Sequence, residues 1–454
     1  MIFNSEFIAG RDSTTRRFID KMDWVLFGVT VFLVLTGLVA IYSATLTYGN
    51  ASKFVGTQVS AVLIGFVCMI LLMAFNYQYY KQITYFLYAG SIFVLMLVLV
   101  AGVTIKGTKG WFHLGYFAVQ PVEFTKIVFI LVLAGYLDKK WKEMKKITSL
   151  AVPSLILMGH ILLVMIQPDF SSTLVYYPVL LVLLFLSGTE TLYLVGIIIY
   201  GAIAAGIPLM ATYFKMQPLI LKASPMLNYI VLASKGGSKM AIVLITVILM
   251  VFVTWWFLNQ LKFQIPIIYV VALSLIIGAG TVSSLGVQKS LKEYQRKRLI
   301  VFLNPDIDPL GSGYNINQSK IAIGSGQFFG KGLFSGTQSK LGFLPEQHTD
   351  FIFSVLSEET GFFFSALTVF MYFVLVWRAL IISRDARDRY GSLVAAGIAT
   401  IFTFHGVINM GMVMGLMPAT GLPLPILSYG GSCMVSSLCS IGILFSIHVR
   451  RFTN

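Results

Sequence analysis

The sequence predicts an all-α fold, a polytopic bundle of about twelve transmembrane helices, and three observations carry the prediction. Apolar stretches of about 20 residues recur along the whole chain, the length a helix needs to cross a roughly 30 Å hydrocarbon core. Of 454 residues, 57% are hydrophobic and 11% charged, with a mean hydropathy of +0.84, far from the composition of a soluble domain. Barrel-type alternation is absent, so helices must satisfy the backbone within lipid.

The first apolar run, 24–43, is too long for a signal-peptide core and no clean small-residue cleavage site follows it, so it is a retained span. The remaining spans fall at 55–75, 84–105, 119–137, 148–166, 172–188, 191–212, 240–259, 264–285, 351–377, 391–416 and 432–449. An even number returns both termini to one side. Short basic clusters fix that side as cytoplasmic: Arg11 to Lys21 before the first span, Lys139 to Lys146 after the fourth, Arg378 to Arg389 after the tenth, and Arg450 with Arg451 at the end. The segment 286–350 and the motifs around Gln120, Asp169 and Ser428 then face outward.

The net charge of +15 does not indicate nucleic acid, because basic residues in a polytopic chain set topology and meet anionic lipid headgroups. The outer segment is itself cationic, with Lys289, Lys292, Arg296, Lys297, Arg298, Lys320, Lys331 and Lys340. Headgroup contact accounts for these; so does an anionic substrate recognised outside the cytoplasm. Cys68, Cys433 and Cys439 lack metal-ligand spacing and read as small packing residues.

Four polar islands interrupt the apolar pattern, and ionisable groups at membrane depth are costly enough to signal function. In GWFHLGYFAVQPVEFTKIVF, Glu123 and Lys126 lie three residues apart on one helix face, either as a structural ion pair or as a cation held for a phosphate. In QPDFSSTLV, Pro168 breaks the helix and Asp169 either caps the next span or joins the Glu123 and Lys126 network. The long outer segment ends in GFLPEQHTDFIF, which gathers Glu346, His348 and Asp350 at a membrane boundary. Asp350 reads as the N-cap of the tenth span or as a catalytic base. GSGQFFGKG within that segment is not a phosphate loop, since no strand precedes it. MGLMPATGLPLPILSYGGSCM is a re-entrant turn that suits a cavity wall, with Ser428 and Tyr429 as hydroxyl contacts. Glu358 and Glu359 are expected to be buried and paired, and His160, His405 and His448 to be isolated, satisfied histidines.

QPVEFTK, QPDFSS, the run from YQRKR to GYNINQSKIAIGSG, GTQSKLGFLPEQHTDFIFSVLSEETG and GLPLPILSYGGS, in that order, resemble the SEDS family of bacterial cell-envelope polymerases, and the wording of GTQS and FLPE is closer to its elongation branch than to its division branch. The resemblance implies a peptidoglycan glycosyltransferase that polymerises lipid II at the outer face of the cytoplasmic membrane during cell elongation. It implies a class B penicillin-binding protein and other elongation-complex proteins as partners, membrane lipids as surroundings, and no nucleic acid. Carried over by motif, Asp350 is the catalytic carboxylate, and Glu123, Lys126 and Asp169 match the family's polar residues. Lys126, Glu123, Asp169, Arg296, Arg298, His348, Glu346, Ser428 and Tyr429 are the substrate-binding candidates. A divalent cation, Mg or Mn, is implied without assignable ligands. The chain forms one SEDS domain, with 215–285 as an inserted helical pair beyond the family's ten spans and 286–350 as the extracytoplasmic catalytic loop. It departs from the family at Gly110, where an arginine precedes the tryptophan and Lys106 or Lys109 must supply charge; at Ser171, where glycine is usual; and at His405, where glutamine is common. The alternative from another class is a lipid II flippase, which suits many spans and intramembrane charge.

Overall fold

The computed structural model describes residues 21–451 except 106, 116, 218–226, 228–230, 232–233, 235, 291–292 and 303–310. Lys106, Lys292 and the N-terminal arginines lie outside the described residues. Among the described residues are twelve long helices, one for each expected span: α1 Trp24–Thr45, α2 Ala51–Ala74, α3 Thr84–Ala101, α4 Pro121–Lys140, α5 Ala151–Ile166, α6 Phe170–Leu186, α7 Thr191–Met216, α8 Gly237–Gln260, α9 Ile267–Ser290, α12 Ile352–Asp385, α13 Arg389–Val413 and α14 Gly431–Arg450. Among the shorter helices of the outer segment are α10 Glu293–Val301 and α11 Ser312–Ser325. Ten of the long helices are long and apolar enough to cross a membrane. Of the other two, α6 has 17 residues, and α4 carries Glu123, Lys126, Asp138, Lys139 and Lys140. The chain is a multi-pass membrane protein with an all-α helical bundle.

The third span is shorter than the sequence suggests. α3 stops at Ala101, and the chain turns into a small antiparallel sheet, β1 Val103–Ile105, β2 Thr108–Leu114 and β3 Phe117–Val119. Gly107 and Gly115, both at positive φ, make the two reversals that an apolar count does not register.

The bundle is closely packed where small residues allow it. α14 lies along α2, with Gly442 against the backbone of Met69 and Gly65 against Leu438. Gly37 of α1 meets the carbonyls of Ile426 and Leu427, which admits the Pro-rich turn between α13 and α14 into the core. By contrast α8 is largely exposed and packs on α9, which in turn packs on α7. This places part of the 215–285 segment at the edge of the bundle.

Polar contacts sort the inter-helix segments into two ends. At one end Arg378 pairs with Asp23, Arg451 with Asp385 and Lys81 with Asp138, Tyr77 donates to Asp388, and the Arg389 guanidinium stacks 3.4 Å over Trp141. Those are the segments the basic clusters mark. The other end gathers the segments before α4, before α6, before α12 and before α14 around one cavity.

Candidate active site

The cavity encloses about 390 Å³ and is walled by Trp111, Gln120 and Glu123, by Asp169 to Ser172, by Gln295 and Arg298, by Glu346, Thr349 and Asp350 and by Thr420 to Pro423 with Tyr429 and Cys433. Four widely separated polar islands of the sequence therefore meet at one place. Their focus is Gly421, at φ +78°: a methyl group built there would lie 3.3 Å from Asp350 Oδ2, 3.6 Å from Arg298 Nη1 and 3.9 Å from Ser171 Oγ. A carboxylate, a guanidinium and a hydroxyl face the same small volume.

The backbone that presents Asp350 is pinned at three consecutive carbonyls. Tyr429 N donates to His348 O at 2.9 Å, Ser428 Oγ to Thr349 O at 2.7 Å, and Asn409 Nδ2 to Asp350 O at 2.9 Å. Asn409 also donates to Leu422 O at 2.7 Å, so one buried amide joins the Pro-rich turn to the residue before α12. Asp350 is not the N-cap of that helix; Phe351 occupies the position and makes no side-chain capping bond. Asp350 lines the cavity wall.

Behind the wall, Lys126 Nζ donates to Glu123 Oε1 at 2.7 Å and lies 3.3 Å from His405 Nε2, while His405 Nδ1 meets Pro423 O at 3.0 Å. With Nε2 accepting from the ammonium, Nδ1 carries the proton and donates to the carbonyl. Glu123 lines the cavity, but Lys126 is 3% exposed and lines only a pocket of about 20 Å³ beneath it. Of the two readings of Glu123 and Lys126, the geometry shows the ion pair, buried, with Lys126 fixing Glu123. His405 is likewise not isolated.

Asp169 does cap α6: Oδ1 accepts from Ser172 N at 3.0 Å, and Oδ2 from Ser172 Oγ at 2.8 Å and Gln120 Nε2 at 2.9 Å. Burial pushes its carboxyl up, opposed by the Ser172 donors. It joins Glu123 around the cavity through Gln120, not through a hydrogen bond to Lys126. Ser171 donates to Thr420 O and so ties this loop to the Pro-rich turn.

Three further expectations shift. Ser428 is off the cavity wall and acts as a latch, its Oγ donating to Thr349 O and accepting from Leu424 N. His348 is off the cavity wall, its ring 5.2 to 5.7 Å from those of Tyr48, Phe54 and Tyr429, because aromatic surface from three segments closes around it. Arg296 is half-buried and also off the wall, whereas Arg298, two residues on, is on it. Glu346 and Tyr429 do line the cavity. Glu358 and Glu359 are buried and paired as expected. Glu358 accepts from Lys331 Nζ at 2.9 Å, Thr337 N at 2.8 Å and Gln338 N at 3.0 Å, and Glu359 accepts from Ser43.

Sequence reasoning missed Asn409, Gln120 and Gly421. Asn409 did leave a signal, a lone amide one turn after His405 in an apolar helix. Among the described residues no three His, Cys, Asp or Glu side chains converge to hold a metal ion.

Fold and site together define a polytopic membrane protein with a polar cavity at one end of its bundle, walled by carboxylates, a guanidinium and hydroxyls. The chain belongs to the FtsW/RodA/SpoVE family, described as cell cycle proteins, whose model matches residues 23–223 and 215–452. It is 36% identical over 445 residues to the peptidoglycan glycosyltransferase RodA of Treponema pallidum, covering 96% of this chain and 99% of that one. It is 32% identical to a probable peptidoglycan glycosyltransferase FtsW of Trichlorobacter lovleyi, over 94% of this chain and 93% of the relative. In fold it matches a solved peptidoglycan synthase complex described as coordinating polymerization and crosslinking, with a TM-score of 0.64 at 24% identity, over 95% of this chain and 99% of that one.

Proposed function

We propose that this protein is a peptidoglycan glycosyltransferase that polymerises lipid II, with Asp350 as general base. The observation that carries the reading is the convergence of Asp350 Oδ2, Arg298 Nη1 and Ser171 Oγ around Gly421 in a polar cavity of about 390 Å³.

The reaction joins two lipid-linked sugars. The acceptor 4-hydroxyl oxygen bonds to the donor's anomeric carbon, the bond from that carbon to the pyrophosphate oxygen breaks, and the hydroxyl proton passes to Asp350. Attack opposite an α-linked leaving group inverts the centre once and gives a β-linkage with no covalent enzyme intermediate. Arg298 stabilises charge developing on the departing pyrophosphate, and a guanidinium suits that geometry. Glu123, held by Lys126, and Asp169, held by Gln120 and Ser172, set the far wall and orient the sugars. Asp350 and Glu346 are the wall carboxylates that would hold the divalent cation implied by the family, since magnesium is commonly bound through one or two carboxylates. When bound, it would supply further charge neutralisation on the pyrophosphate.

The basic end faces the cytoplasm and the cavity faces the exterior of the cytoplasmic membrane, an orientation that rests on the Lys and Arg bias of the first end. The Gly286 to Asp350 segment is the extracytoplasmic catalytic loop, 215–285 an added helical pair at the bundle's edge, and a class B penicillin-binding protein the partner that crosslinks the product during elongation. The flippase reading is not favoured, because the polar groups gather at one end of the bundle and the relatives carry glycosyltransferase names.

The test is to supply labelled lipid II to the purified protein in proteoliposomes, with and without a transpeptidase partner and Mg or Mn. Glycan polymer supports the proposal; lipid II translocation without polymer overturns it.

A further inference from the structure

α1 and α12 are joined twice. At the basic end Arg378 Nη2 pairs with Asp23 at 2.7 Å, and Asp23 caps α1 through Leu26 N. At the other end Ser43 donates to Glu359. Ser43 follows Asp23 by about twenty residues and Glu359 precedes Arg378 by about nineteen, which at 1.5 Å per residue is roughly 30 Å, the thickness of a hydrocarbon core. Taken as its two boundaries, these ties make the Ser43 to Glu359 tie the outer one.

Just inside that boundary α12 is broken. Gly361 has φ 73° and ψ −171°, and the released amides of Phe362 and Phe363 donate to Gln327 O at 2.7 Å and Phe328 O at 3.2 Å. Nearer the boundary, Lys331 N donates to Glu358 O at 3.1 Å and Gly332 N to Glu359 O at 3.0 Å. The backbone of Gln327 and Phe328 is therefore fixed beside residues three to four positions inward of Glu359, about 5 Å below the outer boundary. Gly330, at φ 78°, closes the turn by donating to Gly326 O at 2.8 Å.

The side chains fit that depth. Phe328 and Phe329 are 69% and 88% exposed, and Phe362 and Phe363 64% and 73% exposed, so four phenylalanines form one apolar patch around the turn. Lys331 points instead at Glu358 and Thr337, at the boundary. The carbonyls of Gly326, Gln327 and Phe328 accept backbone hydrogen bonds, which lowers the cost of placing this part of the turn in lipid.

We infer that residues 326–334, within the nominally aqueous outer loop, form a re-entrant turn seated in the outer leaflet, with Phe328 and Phe329 among phospholipid acyl chains. Through Glu358 the turn also holds Thr337 to Ser339, so the loop that leads to Asp350 is anchored in lipid from one side.

The test is spin-label accessibility on the full-length chain in lipid nanodiscs, without partner, with Cys68, Cys433 and Cys439 replaced by alanine. A nitroxide at Phe329→Cys is expected to collide with oxygen several-fold more than with a water-soluble nickel chelate, relative to a label at the exposed Lys340→Cys. Phe328→Cys is the second reporter should the first variant fold poorly. Nickel access equal to that at Lys340→Cys would place the turn in water and overturn the inference. Screening from both reagents would mean that protein, such as a second copy, covers the patch, and would overturn it too.

Discussion

Asn409 Nδ2 lies 2.9 Å from the carbonyl oxygen of Asp350 and 2.7 Å from that of Leu422, so a fully buried amide in α13 sets the position of the proposed base. Replacing Asn409 with alanine strands two buried carbonyls, at about 1 to 3 kcal/mol each. The expected result is a loss of about 10- to 100-fold in kcat for lipid II polymerisation, with KM little changed, because a small displacement of a catalytic group is costly. Steady-state kinetics on folded Asn409→Ala checks this; a rise in KM at constant kcat would point to substrate binding instead.

Lys126→Ala should destabilise the fold more than it impairs binding. It removes the cation from beside Glu123, 7% exposed, and leaves a buried carboxylate uncompensated, at about 3 to 5 kcal/mol. The double variant Glu123→Gln with Lys126→Met removes both charges and should recover much of that loss. Thermal unfolding in detergent compares the two.

Gly421→Ala tests the focus of the cavity. The position has φ +78°, so a side chain costs roughly 1 to 2 kcal/mol in backbone strain. Its methyl group would also stand 3.3 Å from Asp350 Oδ2. Polymerisation should fall at least tenfold in protein that still extracts and elutes normally; unchanged turnover would remove Gly421 from the reacting volume.

Glu358→Ala should loosen the 331–339 segment without dismantling the bundle, since its carboxylate receives Lys331 Nζ and the amides of Thr337 and Gln338. Hydrogen exchange is expected to rise at Thr337 and Gln338 while α13 and α14 stay protected.

The helices were legible because a 20-residue apolar run has one physical use in a chain of this composition. The polar islands were legible as well, since Asp350, Glu123 and Asp169 stand out against apolar surroundings. Which of them share a wall was not. Contact between Ser171 and Thr420, or between Asn409 and Asp350, depends on how loops from distant spans fold over one another, and single-chain spacing carries no record of that. Ser428 misled because a hydroxyl beside a Gly-Gly pair looks like a ligand-binding group, although its donor is used on Thr349 O. The pairing of Lys126 with Glu123 was legible from their spacing, and its burial was not. The break at Gly361 escaped notice because the hydropathy of α12 runs on through it.

The central claim is that Asp350 accepts the acceptor hydroxyl's proton. It is tested most directly by comparing wild-type protein with Asp350→Asn, a near-isosteric change that leaves the Asn409 bond to the backbone in place. Labelled lipid II, with the partner and divalent cation present, should give polymer from the wild type and at least about 100-fold less from the variant, while lipid II binding persists. Polymer from Asp350→Asn at close to the wild-type rate would contradict the account.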